Sequence, residues 1–120
     1  MNLKLKSLAD KGNPQKERLI IRVLNDTNVG EFMVLRTGFV NGQVTVGVSN
    51  TFWFPDTMVK AGDLVVLYSK SGAITEKVLE SGNKAHFFYW GQDSALWEVD
   101  DIAVVLLHAP VWESSRAEEL

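Results

Sequence analysis

The chain has 120 residues, 46% of them apolar and 22% charged, a size and balance that build one globular core without disulfide or metal staples. It contains no cysteine, which excludes thiolate nucleophiles, cysteine-held zinc, iron–sulfur clusters and a disulfide framework. The formal net charge of −3 disfavours non-specific nucleic-acid binding, although Lys4, Lys6, Lys11, Lys16, Arg18, Arg22 and Arg36 gather in the first third and the acids gather late.

The first residues carry no apolar signal-peptide core and no small-residue cleavage site. The longest apolar runs, Leu64–Tyr68 and Ile102–Leu107, are far shorter than the roughly 20 residues of a bilayer span. A soluble, cytoplasmic chain with no membrane partner is expected.

In the first 16 residues Leu3 and Leu5 alternate with Lys4 and Lys6, the period of a short edge strand whose lysines discourage edge-to-edge pairing. The segment is expected to be an N-terminal arm or edge strand ahead of a domain over residues 17–112. Asp10-Lys11-Gly12-Asn13-Pro14 is turn chemistry. Glu17–Leu24 follows as a firm strand, with Leu19, Ile21 and Val23 on an apolar face and Arg18 and Arg22 on a mixed one. Asn25 to Asn28 stops it, and Gly30 completes the turn signal.

Glu31–Val40 and Gln43–Ser49 read as a hairpin closed by Asn41-Gly42, because a type I′ turn needs positive φ at both central residues. Its second arm alternates Val44, Val46 and Val48 with small polar residues, the pattern of a half-buried strand. Phe52 and Phe54 then share one face while Trp53 takes the other, and Pro55 ends the run or places it on an edge.

Gly62-Asp63 turns the chain into Leu64–Ser69, apolar on both faces and therefore expected at the centre of the domain. Ser71-Gly72 reads as the next hairpin turn, into Ala73–Glu80 with Ile74 and Val78 inward. Ser81-Gly82-Asn83 turns again into Ala85–Trp90. Asp100-Asp101 precedes Ile102–His108, a second doubly apolar strand also expected at the centre. Residues 113–120 read as a flexible acidic tail. No segment sustains a helical stripe, so the expectation is an all-β, single immunoglobulin-like sandwich of about seven to eight antiparallel strands.

The stretches FWFP, AGDLVVLYS and WGQDSALWEVDDIAVVLL carry a resemblance to the lamin tail domain, mainly over residues 52–108. The first half matches only as strand plus hairpin, and its valine-rich second arm lacks the tryptophan usual in that family. The resemblance implies an immunoglobulin-like sandwich that serves as a non-catalytic appendage. Fold likeness alone assigns no function, because function belongs to sites.

No catalytic signature is present: there is no Gly-x-Ser-x-Gly elbow, P-loop or dinucleotide fingerprint. His86 and His108 lack metal-ligand spacing, and the acids around Asp100 lack the alternation of a calcium loop, so neither a metal nor a cofactor is expected. The candidate binding residues are the aromatics Trp53, Phe54, Trp90 and Trp112, since tryptophan is enriched at interaction hot spots. Trp97 is assigned to the core. Trp112 is expected to pack either on a second subunit or on the domain's own surface. The leading expectation is a non-enzymatic module acting through protein–protein contact or self-association. The alternative is a nucleic-acid- or carbohydrate-binding module in which Trp53, Tyr89 and Trp90 stack on bases or sugars.

Overall fold

Alternating apolar residues have to bury one face, and the chain does this twice over. In the computed structural model, which describes all 120 residues, the strands are β1 (Leu3–Ala9), β2 (Arg18–Val23), β3 (Thr27–Asn28), β4 (Phe32–Val40), β5 (Gln43–Trp53), β6 (Met58–Val59), β7 (Leu64–Tyr68), β8 (Thr75–Val78), β9 (Lys84–Tyr89) and β10 (Ile102–His108). A five-stranded sheet in the order β1-β2-β7-β9-β8 faces a three-stranded sheet in the order β10-β4-β5, and a short β3-β6 ladder closes one end. The only helical turns are short 3-10 segments at Val29–Glu31 and Ala117–Glu119.

The core lies between the two sheets. Leu19 and Ile21 of β2, Val65 and Leu67 of β7 and Phe88 of β9 meet Phe32 and Val34 of β4, with Phe54 beyond β5. Burying each side chain of this size contributes about 1.5–3 kcal/mol of transfer free energy. Leu3 of β1 belongs to the same cluster, so the N-terminal segment is an integral edge strand paired along β2. Leu96 and Trp97, from the long loop before β10, plug the end of the sandwich.

The all-β sandwich follows the sequence reading, with four corrections. The strands number ten rather than seven or eight, because the two-residue β3 and β6 add to eight longer strands, and β5 continues as one strand through Asn50–Trp53. They are not all antiparallel: Ser71-Gly72 makes no hairpin, because the chain passes beyond β9 to form β8 and returns, pairing β9 with β7 in parallel. The distal half of β5 projects past the sandwich, which leaves Val44, Val46 and Val48 solvent-exposed, and Val78 of the outermost β8 and Ile74 just before it are likewise exposed. Finally, β7 is central as its doubly apolar sequence implies, but β10 is an edge. Its inner residues Ile102, Val104 and Leu106 pack on the core, and its outer ones lie on the surface described next.

The Asn41-Gly42 turn has φ of 53° and 76°, the left-handed pair that fixes the β4–β5 register. Asp101, at φ 60°, makes the strand-entry turn ahead of β10, and its carbonyl accepts from the Phe39 N–H.

Candidate functional site: an aromatic sheet face and two buried carboxylates

Because side chains alternate along a strand, the register of the three-stranded sheet decides what its outer face carries. Leu107, Met33 and Trp53 stand side by side across β10, β4 and β5, and Val105, Leu35 and Thr51 form the adjoining row. Neither row contains a charge. Trp53 is 46% exposed and Leu107 41%, with no further protein layer over them. The outer face of this sheet is therefore a flat apolar surface open to solvent.

Trp53 is held in place from its polar end. Its indole Nε1–H donates to the Gly30 carbonyl at 2.8 Å, which satisfies the donor and orients the ring. The Asn28 side-chain oxygen accepts from the N–H groups of Gly30 and Thr57, and its amide donates to Asp56 at 3.0 Å. Gly30 has to be glycine here, since a Cβ would lie 2.8 Å from the Asp56 backbone Cα. Gly30→Ala is expected to cost about 1–3 kcal/mol and to shift the tryptophan emission as Trp53 loses its acceptor. An unchanged spectrum and melting temperature would refute this account of the support.

Trp112 packs edge-on against Trp53, with ring centroids 4.8 Å apart at 87°. Met33, Trp53, Ala109, Trp112 and Glu113 line a shallow cleft of about 250 Å³. Of the four aromatic candidates, the structure brings Trp53 and Trp112 together at the surface. Phe54 is 3% exposed and edge-on to Phe88, so it is a core residue and unavailable to a ligand. Trp90 is partly buried, packed between Phe52 and Trp97 against the core and away from Trp53 and Trp112. The aromatics invoked for base or sugar stacking thus do not converge: Tyr89 lies on the opposite sheet. Trp97 is 4% exposed, in the core as expected.

Two buried carboxylates organise the loops. Glu17, fully buried, accepts from Gly12 N–H at 2.9 Å, Ser69 Oγ at 2.5 Å, Leu96 N–H at 2.7 Å and Trp97 N–H at 3.2 Å. Burial pushes its pKa up, but the four hydrogen bonds outweigh burial and hold it below the usual glutamate range. Asp63, 4% exposed, accepts from the N–H groups of Lys60 and Lys84, from the Asn83 amide and from His86 Nε2 at 2.9 Å. Burial again opposes ionisation, and the same kind of donor set wins, holding Asp63 well below the usual aspartate range.

An ionised carboxylate only accepts, so Nε2 of His86 carries its proton toward Asp63. His86 Nδ1 lies 3.7 Å from Glu76 Oε2, beyond hydrogen-bonding reach. Asp63, Glu76 and His86 border a polar cleft of about 240 Å³. The Asp–His pair has the geometry of a base and its orienter, yet no serine or threonine hydroxyl bonds to His86, and Asp63 is saturated by turn donors. This arrangement fixes the Lys60–Asp63 turn against β9. No three of His, Asp and Glu gather as a metal-binding group.

Sequence reading singled out Trp53 and Trp112, which the fold brings into contact, but passed over both carboxylates. Glu17 looks like the polar start of a strand, and Asp63 like one half of a Gly-Asp turn. The available signal was the flanking Gly12 and Gly62 turns, which bring backbone N–H groups to one point. No family model matches the chain, and no curated protein matches it either. No helix is long and apolar enough to cross a membrane.

Proposed function

We propose that the chain is a non-catalytic interaction module that pairs with a second copy of itself through the outer face of the three-stranded sheet. The observation that carries this reading is the uncharged double row Leu107–Met33–Trp53 and Val105–Leu35–Thr51, left open to solvent. Flat sheet faces of this kind pack on one another about 10 Å apart, as the two halves of a sandwich core do. With the exposed Val111 and Trp112 at its margin, the face offers on the order of 600 Å² per copy, at the lower bound of a specific interface. The Trp53–Trp112 pair supplies the large, rigid anchor typical of a hot spot. The resemblance to the lamin tail domain points to the same class of module, and a cysteine-free chain suits a reducing cytoplasm.

Light scattering on the intact chain between about 5 and 200 µM tests the reading. The expected result is twice the monomer mass at the upper concentrations. Leu35→Glu, which sets two carboxylates face to face at the centre of the pair, is expected to return the monomer with the circular dichroism unchanged. A monomeric mass for the parent chain over the whole range would overturn the proposal.

A further inference from the structure

The opposite surface of the sandwich has a different chemistry. On the outer face of the five-stranded sheet, Lys4 of β1 pairs with Arg22 of β2, and Lys77 of β8 lies three strands beyond in the same row, past Leu64 and Ala85. Four residues along the strands, a parallel row holds Arg18, Tyr68 and Tyr89. Phe87 stands between the two rows. The outward strand positions of this face carry Lys4, Arg18, Arg22 and Lys77 and no carboxylate. Asp10, just past β1, pairs with Arg18 at 2.7 Å.

The aromatics and cations are in contact. Tyr68 and Tyr89 stack with centroids 5.3 Å apart at 10°, and Phe87 lies 6.4 Å from Tyr68. The Arg18 guanidinium sits 5.8 Å and the Lys70 ammonium 5.1 Å from the Tyr68 ring centre. All three aromatics are partly open to solvent, while Lys4, Arg22 and Lys77 are exposed. Like charges held directly opposite one another, as Lys4 and Arg22 are, cost stability unless an anion sits between them.

We infer that this face is a binding site for single-stranded nucleic acid, with Lys4, Arg22 and Lys77 taking backbone phosphates and Phe87, Tyr68 and Tyr89 meeting the bases. Unpaired bases present faces and edges to aromatic side chains, whereas a duplex keeps them inside its stack. The chain's net charge of −3 does not forbid this, since charges more than about 8–10 Å away are screened at physiological salt and the local patch dominates. The site lies on the far side of the molecule from the proposed pairing face, so the two readings stand or fall separately.

The test is fluorescence anisotropy of a labelled 12-nucleotide oligothymidine titrated with the intact chain. Saturable binding is expected at 50 mM salt, weakening roughly 20-fold at 200 mM if about three phosphates are neutralised, one by each cation. The double substitution Lys4→Glu, Arg22→Glu is expected to abolish binding while leaving the melting temperature within a few degrees, because both side chains are exposed. Phe87→Ala is expected to weaken binding about tenfold with little change in the salt dependence. No anisotropy change at 100 µM protein and 50 mM salt would overturn the assignment. So would binding indifferent to the double reversal, tighter binding to the matching duplex, or binding to anionic phospholipid vesicles but not to the oligonucleotide.

Discussion

Glu17→Gln is expected to lower the unfolding free energy by about 3 kcal/mol and the melting temperature by roughly 10 °C. The substitution preserves volume, so no cavity forms and the loss is electrostatic. The carboxylate serves three backbone N–H groups and one hydroxyl from three separate segments: the β1–β2 turn, the residue after β7, and the loop at Leu96–Trp97. An amide offers one acceptor oxygen and turns its own N–H hydrogens toward donors, which leaves buried groups unsatisfied at about 1–3 kcal/mol each. Trp97 should become more accessible as its N–H partner disappears, with a red shift in emission to accompany the lower melting temperature. A variant that melts within 2 °C of the parent would show that solvent replaces the carboxylate at little cost.

Asp63→Asn is the second large effect, and it appears most clearly against pH. Glu17 and Asp63 both hold their protons more weakly when folded than an unfolded chain would. The folded state therefore binds fewer protons in acid, and stability is fully present above the ordinary carboxylate pKa of about 4. It falls as pH drops through the depressed folded values. The parent is thus expected to lose stability steeply below about pH 4. Asp63→Asn should lie about 2–3 kcal/mol below the parent at neutral pH and approach it near pH 2, because the substitution has removed one of the two groups that titrate. Chemical denaturation at a series of pH values gives both curves. If they run parallel from pH 5 to pH 2, the Asp63 hydrogen bonds do not stabilise the fold.

How far the fold could be read beforehand varied with how local its cause was. Glu17–Leu24 was legible because alternation alone places Leu19, Ile21 and Val23 inward. The β4–β5 hairpin was legible from Asn41-Gly42, whose backbone requirement is confined to two residues. The parallel β7–β9 pair was not, since Ser71-Gly72 has turn composition whether the chain reverses there or crosses over. Nor could alternation show that Val44, Val46 and Val48 have no layer to face, because a strand's pattern says which residues share a side and not what covers it.

The same limit applies to the candidate sites. Trp53 and Trp112 were conspicuous by residue type, but the rows that make a surface out of Met33, Leu35, Val105 and Leu107 depend on the register of three strands. The cationic face needs the β1–β2 and β8–β9 registers together. As a list, the early lysines and arginines show only that cations gather in the first third, not that Lys4, Arg18 and Arg22 share a face. Phe54 was conspicuous for the same reason and is a core residue, because aromatic character is shared by anchors and core and only burial separates them.

The contacts of Glu17 also carry a schedule. Its hydroxyl donor lies 52 residues further along the chain, and its two donors from the loop before β10 lie 79 and 80 residues away. At ordinary synthesis rates of about 5–20 residues per second, those donors are made some 4–16 s after the carboxylate they satisfy. Through that interval β2 is complete, but its neighbour Glu17 has only the Gly12 N–H and water for partners. Early collapse of the N-terminal strands is therefore discouraged until nearly the whole chain exists. A nascent protein held open in this way has β7, the other neighbour of β2, in reach before β2 can be sealed into a premature core.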